Sequence, residues 1–216
     1  MWSLGGASEI FCRRLGGEVL TLLAMRFREL VTKCRSYRRF DGKSPVTEEA
    51  LRELIELACY VPSAKNLQPL RYITVCESAK IAALFPCLSW AGYLAEWPGP
   101  KEGERPQACI VMLGDLAISD DFACDSGIAA QTILLGAVAS GLGGCILGAV
   151  DRTKIRELFR IPETFTILMV IALGKPAETV VIDQMDENDS IRYFRDANGI
   201  HHVPKRVVDD VLLKFY

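Results

Sequence analysis

Residues 122–150 read FACDSGIAAQTILLGAVASGLGGCILGAV, and from Ser126 to Val150 the run holds no charged side chain. An uncharged stretch of this length invites a membrane-spanning reading. Two features argue against it. Gln131, Thr132 and Ser140 are polar, and Gly141-Leu142-Gly143-Gly144 would break a spanning helix past its middle. The run therefore predicts a buried helix from about Phe122 to Ser140, a glycine-rich turn, and a strand from Cys145 to Val150. Gly127, Ala130, Gly136, Ala137 and Ala139 carry so little side chain that a second helix can approach closely, as at a dimer axis. No membrane is expected as a partner.

Working outward, Asp151 can cap a helix that ends before Pro162, and Thr166 to Leu173 reads as a buried strand closed by Gly174-Lys175-Pro176. On the N-terminal side, Ala108 to Gly114 is a continuous apolar run, as in a strand covered on both faces. Thr47 can cap a helix with Glu48 and Glu49 at its positive end, and Leu51, Leu54, Ile55 and Ala58 form the core-facing stripe until Val61-Pro62 stops it. Arg71 to Cys76 predicts a strand and Ser78 to Phe85 a short helix. From Pro86 to Pro106 the chain is rich in Pro, Gly and Trp, and so long an irregular loop suits a lid or pocket wall. Strands alternate with helices around one very apolar helix. This predicts one domain of α+β or α/β sandwich type.

Both ends look different from this centre. Residues 1–25 carry Arg13-Arg14 before an apolar stretch that Glu18 interrupts, with no small-residue cleavage site after it. They read as an N-terminal extension, and Met25, which opens the first convincing helix (Phe27, Leu30, Val31 and Cys34), as its boundary. Residues 26–216 form the domain proper. From about Ala177 the sequence turns polar and reads as an arm.

A length of 216 residues suffices for a substantial core, and a net charge of −2 gives no global basic excess to steer nucleic acid. Basic residues cluster locally, from Arg35 to Lys43 and at Lys205-Arg206, which suits a small anionic ligand. The eight cysteines (Cys12, Cys34, Cys59, Cys76, Cys87, Cys109, Cys124 and Cys145) include no CxxC pair and stand mostly among apolar residues. They read as reduced and inert, with a cytoplasmic location and no metal or cluster. His201 and His202, the chain's two histidines, are adjacent and so point in different directions; they read as surface or interface residues, not as part of a triad. There is no GxGxxG after a strand, no Walker loop, no GxSxG and no HExxH. With so little acid–base equipment, the chemistry is expected to come from a bound cofactor.

Two segments supply a place for one. Cys34-Arg35-Ser36-Tyr37-Arg38-Arg39-Phe40 sets guanidinium forks and a hydroxyl at a helix-to-loop junction, and Pro62-Ser63-Ala64-Lys65-Asn66-Leu67-Gln68-Pro69 is a run of small hydrogen-bonding residues framed by prolines. Guanidiniums offer fixed, charge-assisted donors for phosphate and for a planar polar ring.

These segments resemble those of the flavin-dependent nitroreductase family. The likeness is carried by Arg35-Ser36-x-Arg38-x-Phe40, Ala58-x4-Ser63-Ala64-x-Asn66-x-Gln68-Pro69 and Asp125-x-Gly127-x-Ala129-x-Gln131. It continues through Gly141-Leu142-Gly143-x-Cys145-x2-Gly148 to Lys205-Arg206. The resemblance implies a nitroreductase-like three-layer α+β sandwich, its sheet mixed and mostly antiparallel, with a domain-exchanged C-terminal arm. It implies a homodimer with FMN at the subunit interface and NADH or NADPH as cosubstrate. Cofactor-binding residues would be Arg35, Ser36 and Arg38 from one subunit; Pro62, Ser63, Ala64, Asn66 and Gln68 from the other; Leu142, Gly143 and Gly144 near the ring; and Lys205 and Arg206 at the phosphate. Asp125 and Gln131 would serve the helix start and interface hydrogen bonds. Trp90, Tyr93 and Trp97 would either cover the substrate face of the flavin or form local core.

The chain departs from the family pattern at Cys34, where a second arginine is common, and at Leu70, where a tryptophan often follows Gln-Pro. The expected activity is hydride transfer from NAD(P)H through flavin to a nitroaromatic or quinone acceptor, in ping-pong order, with no side chain as obligatory acid. A reductive dehalogenase, a flavin-cleaving enzyme and a non-catalytic flavin-binding protein remain open alternatives at this point.

Overall fold

The structure, a computed structural model, describes residues 27–186 and 190–216. The expected extension of residues 1–25, with Met25 as its boundary, lies outside the described residues. Helix α1 (Phe27–Lys33) runs into an extended stretch, and α2 (Glu48–Cys59) begins at Thr47, whose hydroxyl accepts from the Ala50 N–H at 3.1 Å. Strand β1 (Leu70–Val75), helix α3 (Ser78–Leu84) and strand β2 (Ala108–Asp115) follow. Next come α4 (Ala123–Ala139), β3 (Gly143–Leu147), α5 (Arg152–Phe159) and β4 (Phe165–Gly174). Asp151 caps α5 by accepting from the Lys154 N–H at 3.1 Å.

The four strands form an antiparallel sheet in the order β1-β2-β4-β3, with a register shift between Met112 and Leu113. Strand β2 accounts for the layering. Cys109, Val111 and Leu113 join a cluster with Leu84 and Ile155, on the side of α3 and α5. Ala108, Ile110 and Met112 join another with Leu51, Leu54, Ala129 and Ile133, on the side of α2 and α4. A strand with helices on both faces must be apolar throughout, which is why residues 108–114 read as a continuous run and not as an alternation. The result is the expected three-layer α+β sandwich.

Helix α4 divides its small residues between two tasks. Ala130 and Ala137 are buried in the chain's own core, and Gly136 admits α2: a Cβ there would stand 2.5 Å from Leu57 Cδ1. Gly127, Gln131 and Ala139 are exposed, so only part of the expected helix-contact set faces outward. No helix among the described residues is long and apolar enough to cross a membrane.

The C-terminal region, expected as a polar arm, carries strands of its own. Strands β5 (Val180–Gln184), β6 (Phe194–Arg195) and β7 (His201–Lys205) form a second sheet in the order β5-β7-β6, with β5 and β7 parallel. A short helix α6 (Val208–Val211) and an exposed tail with Leu213, Phe215 and Tyr216 follow. This sheet is held by ion pairs and ring contacts more than by apolar burial, so its composition resembles that of a loop. His202, for instance, pairs with Asp183 at 2.9 Å and stacks on Phe194.

Candidate functional site

The segment after α1 crosses the end of the main sheet and is stitched to three elements. Ser36 makes a parallel bridge to Gly144, with the Tyr37 N–H donating to the Gly144 carbonyl at 3.0 Å. Phe40, fully buried, bridges Pro176 beyond the end of β4, and the Asp41 N–H donates to the Lys175 carbonyl at 2.8 Å. A Cβ on Gly174 would stand 2.9 Å from the Phe40 ring, so glycine is required for that side chain to pack so close to the end of β4. Glu178, its side chain only 2% exposed, locks the segment to the C-terminal sheet. Its Oε1 accepts from the Arg38 and Arg39 N–H groups, and its Oε2 pairs with Arg195 Nη2 at 2.9 Å.

Arg35, Arg38 and Arg39 each keep a buried Nε–H without a hydrogen-bond partner, and that of Arg39 stands in an ion pair with Glu104 at 3.3 Å. Arg35 donates through Nη2 to the Val31 carbonyl at 2.9 Å, and Arg38 donates through Nη1 to the Ser36 carbonyl at 3.3 Å. A buried, unpaired donor costs about 1–3 kcal/mol, so Arg35 and Arg38, three residues apart on one segment, gain from meeting a polar partner. The donors suit an anion or a ring edge rich in acceptors. Cys34, which precedes them, is buried and receives the Gln131 Nε2 at 3.6 Å; burial pushes its thiol up, so it supplies no charge.

The second segment is built by a different device. Asp125, in the first turn of α4 and 4% exposed, accepts from the Ser63 hydroxyl through a short bond and from the Ala64 N–H at 2.9 Å. Ser63 Oγ in turn accepts from the Gln68 N–H at 2.9 Å. The loop so clasped holds Lys65, Asn66 and Gln68 at φ of 52°, 55° and 51°. Asp125 thus stands at the helix start, as expected, and its carboxylate also clasps this loop. Pro62, Ser63, Gln68, Cys59, Tyr72 and Asp125 line a cleft of about 150 Å³. Burial pushes the Tyr72 phenol up to about 12, so it stays protonated. The hydrogen bonds of this segment run to Asp125, not to the segment of Arg35 and Arg38.

The glycine-rich turn is explained within the chain. A Cβ on Gly143 would stand 2.6 Å from the Tyr37 ring and 2.7 Å from Pro176 Cγ, and one on Gly144 would strike the Ala172 carbonyl oxygen. Leu142 is partly buried and donates to the Ala137 carbonyl at 2.8 Å, closing α4. Packing within the chain therefore already requires both glycines, Gly143 against Tyr37 and Pro176 and Gly144 against Ala172 of β4. Lys205 and Arg206 are exposed at the end of β7.

The loop after α3 packs inward at one end and onto the C-terminal sheet at the other. Trp90 lies against the core cluster of α3 and α5. Tyr93 meets Tyr193 at 4.9 Å, and Arg195 lies 4.7 Å over Trp97.

Of the histidines, expected as surface or interface residues, only His202 is partly exposed. They do point in opposite directions on β7, but His201 is 1% exposed and sits 3.4 Å from Arg38 Nη1. Burial, reinforced by the Arg38 charge, pulls its pKa down to about 4. The cysteine reading also needs adjustment: Cys34, Cys87, Cys109 and Cys145 are buried, whereas Cys59 and Cys124 are exposed. Sequence reasoning missed Glu178 and Tyr193 altogether. The dense basic and aromatic pattern Arg192-Tyr193-Phe194-Arg195 was the available signal.

The sheet order, the helix layers and the arginine segment at the sheet end together define a class. The sequence pattern of the Nitroreductase family matches residues 31–175. The chain belongs to the nitroreductase family. It is 29% identical over 186 residues to the NADH dehydrogenase of Thermus thermophilus, a match covering 73% of this chain and 90% of that protein. It is 28% identical over 187 residues to the NADPH-flavin oxidoreductase of Vibrio harveyi, covering 81% and 72%. Its fold matches the FMN-dependent nitroreductase of Clostridium difficile R20291 with a TM-score of 0.58 at 25% identity, covering 69% of this chain and 87% of that one.

Proposed function

We propose that the chain is an FMN-dependent oxidoreductase that takes hydride from NADH or NADPH and passes it to a small organic acceptor of nitroaromatic or quinone type. The observation that carries this reading is the pair of buried, unpartnered Nε–H donors on Arg35 and Arg38. They fit FMN, which presents a phosphate and an acceptor-rich ring edge. When bound, FMN supplies the redox chemistry, accepting hydride from the nicotinamide and giving two electrons to the acceptor in a second half-reaction. Arg35 and Ser36 would hold the phosphate, and Arg38 would place positive charge where negative charge accumulates on the ring. No side chain of the segment need exchange a proton.

The working unit is a homodimer, with the Pro62–Gln68 segment of one subunit completing the site of the other. Support comes from the separate anchoring of the two segments and from the uncharged outer face of α4 around Gly127 and Gln131. Exposed Leu213, Phe215 and Tyr216 suit an arm that covers the partner, and would bring Lys205 and Arg206 toward the phosphate. The free cysteines suit a reducing compartment such as the cytoplasm.

The test begins with the absorbance of the purified protein. A flavin spectrum that bleaches anaerobically on adding NADH or NADPH and recovers with a quinone is the expected result. In Arg38→Ala the FMN content or its rate of reduction falls. Wild-type protein that cannot be loaded with FMN, or an Arg38→Ala variant with unchanged flavin content and kinetics, overturns the reading.

A further inference from the structure

Arg38 is gripped by residues that the proposed cofactor site does not itself require. Its backbone N–H is fixed by Glu178. Its guanidinium lies 5.1 Å over the ring of Tyr193, and its Nη1 stands 3.4 Å from His201 Nε2. Tyr193 and His201 are themselves in ring contact at 5.2 Å, and Tyr193 continues to Tyr93 at 4.9 Å. Arg195, which completes the group, is tied to Glu178 and lies over Trp97. All four partners of Arg38 and its neighbours (Glu178, Tyr193, Arg195 and His201) come from the C-terminal sheet region, beyond the matched residues 31–175.

Resting on the FMN reading above, we propose that His201 is a positioning residue for Arg38, acting together with Tyr193 to hold the guanidinium in the one orientation that presents its Nε–H to the cofactor. Arginine can only donate, so His201 Nε2 accepts and the ring proton resides on Nδ1, which is itself buried without a hydrogen-bond partner. This requires a neutral imidazole. Burial beside Arg38 keeps it neutral well below physiological pH. At 3.4 Å the hydrogen bond is weak, so the two contacts contribute direction more than binding energy. Tyr193 supplies a face for the planar fork, and His201 blocks its rotation about that face. An arginine left to sample its rotamers would lose entropy on meeting the ligand; one already held does not.

The experiment measures FMN dissociation constants by flavin-fluorescence quenching on apoprotein, with circular dichroism and melting temperature alongside. His201→Leu removes the acceptor and should weaken FMN binding by about tenfold. His201→Gln keeps an acceptor at the ε position and should bind within about twofold of wild type. Tyr193→Leu, which removes the face instead, should weaken binding in the same direction and serves where His201→Leu does not fold. In an Arg38→Met background, His201→Leu should have no further effect on FMN binding. Equal losses in His201→Leu and His201→Gln, or an undiminished effect of His201→Leu in Arg38→Met, would assign His201 a structural role and overturn the inference while leaving the FMN reading intact. Failure of wild-type apoprotein to bind FMN overturns both.

Discussion

Replacing Asp125 should open the Pro62–Gln68 loop without unfolding the domain. The loop holds Lys65, Asn66 and Gln68 in the left-handed region, which costs a non-glycine residue about 1–2 kcal/mol each, less for asparagine. About 3–4 kcal/mol is therefore stored locally. Against this stand the two bonds that Asp125 accepts from Ser63 and Ala64. At about 1.5–3 kcal/mol for a hydrogen bond to a charged group, and toward the lower end in a part-exposed loop, they contribute about 3 kcal/mol. Clasp and strain are of similar size, so Asp125→Ala should leave the loop close to an open–closed balance.

Native-state hydrogen exchange reads this directly. The Asn66, Leu67 and Gln68 N–H groups, now bonded to the Ser63 carbonyl, the Ala64 carbonyl and Ser63 Oγ, should lose about two orders of magnitude of protection. Ile110 and Val111, at the centre of β2, should keep theirs. Asp125→Asn should fall between: Oδ1 still accepts from Ala64, but an amide NH₂ would face Ser63 Oγ, which already accepts from Gln68, and the hydroxyl proton would lose its acceptor. Adding Lys65→Gly to Asp125→Ala should recover part of the protection, since glycine removes about 1 kcal/mol of the strain. Loop amides that stay protected in Asp125→Ala, or core amides that fall with them, would refute this balance.

Other outcomes follow from the same structure. His201 has a folded pKa lowered to about 4 against 6.5, so its contribution is intact above pH 6.5 and lost as pH falls toward 4, by about 3 kcal/mol in full. Urea denaturation at pH 7 and pH 4.5 should show a larger loss in wild type than in His201→Gln; equal losses would refute the assignment. Gly144→Val should destabilise by about 3 kcal/mol or more because its Cβ meets the Ala172 backbone, whereas Gly148→Ala, which meets nothing within 4 Å, should stay within about 0.5 kcal/mol in the same assay. Gly127→Arg meets open space in the isolated subunit, so the chain should fold, sediment as a monomer and lose FMN; a dimer that persists would remove α4 from the proposed interface. Ile110→Ala, at a fully buried position, should cost about 2–5 kcal/mol by thermal or chemical unfolding.

The main sandwich was legible because its signals are local. The Thr47 and Asp151 caps, the stripe of α2 and the doubly covered run of β2 each follow from spacing within a few residues of one another. The C-terminal sheet was not legible in the same way. Its strands are short and polar, and the pairs that order them, Glu178 with Arg195 and His202 with Asp183, form only after residues far apart in sequence are brought together.

The same division runs through the candidate site. The sequence alone singled out both segments, the arginines, the glycine turn and the uncharged helix α4 as candidates, because residue type and spacing carry that information. Only the tertiary structure decided what each group faces. It set Asp125 to clasp Ser63 and Ala64, required Gly143 and Gly144 for packing against Tyr37, Pro176 and Ala172, and turned one of two adjacent histidines into the core beside Arg38. The physical reason is that burial and partnership are properties of the packed chain: His201 and His202 have the same side chain and differ in environment because neighbouring residues on a strand point to opposite faces.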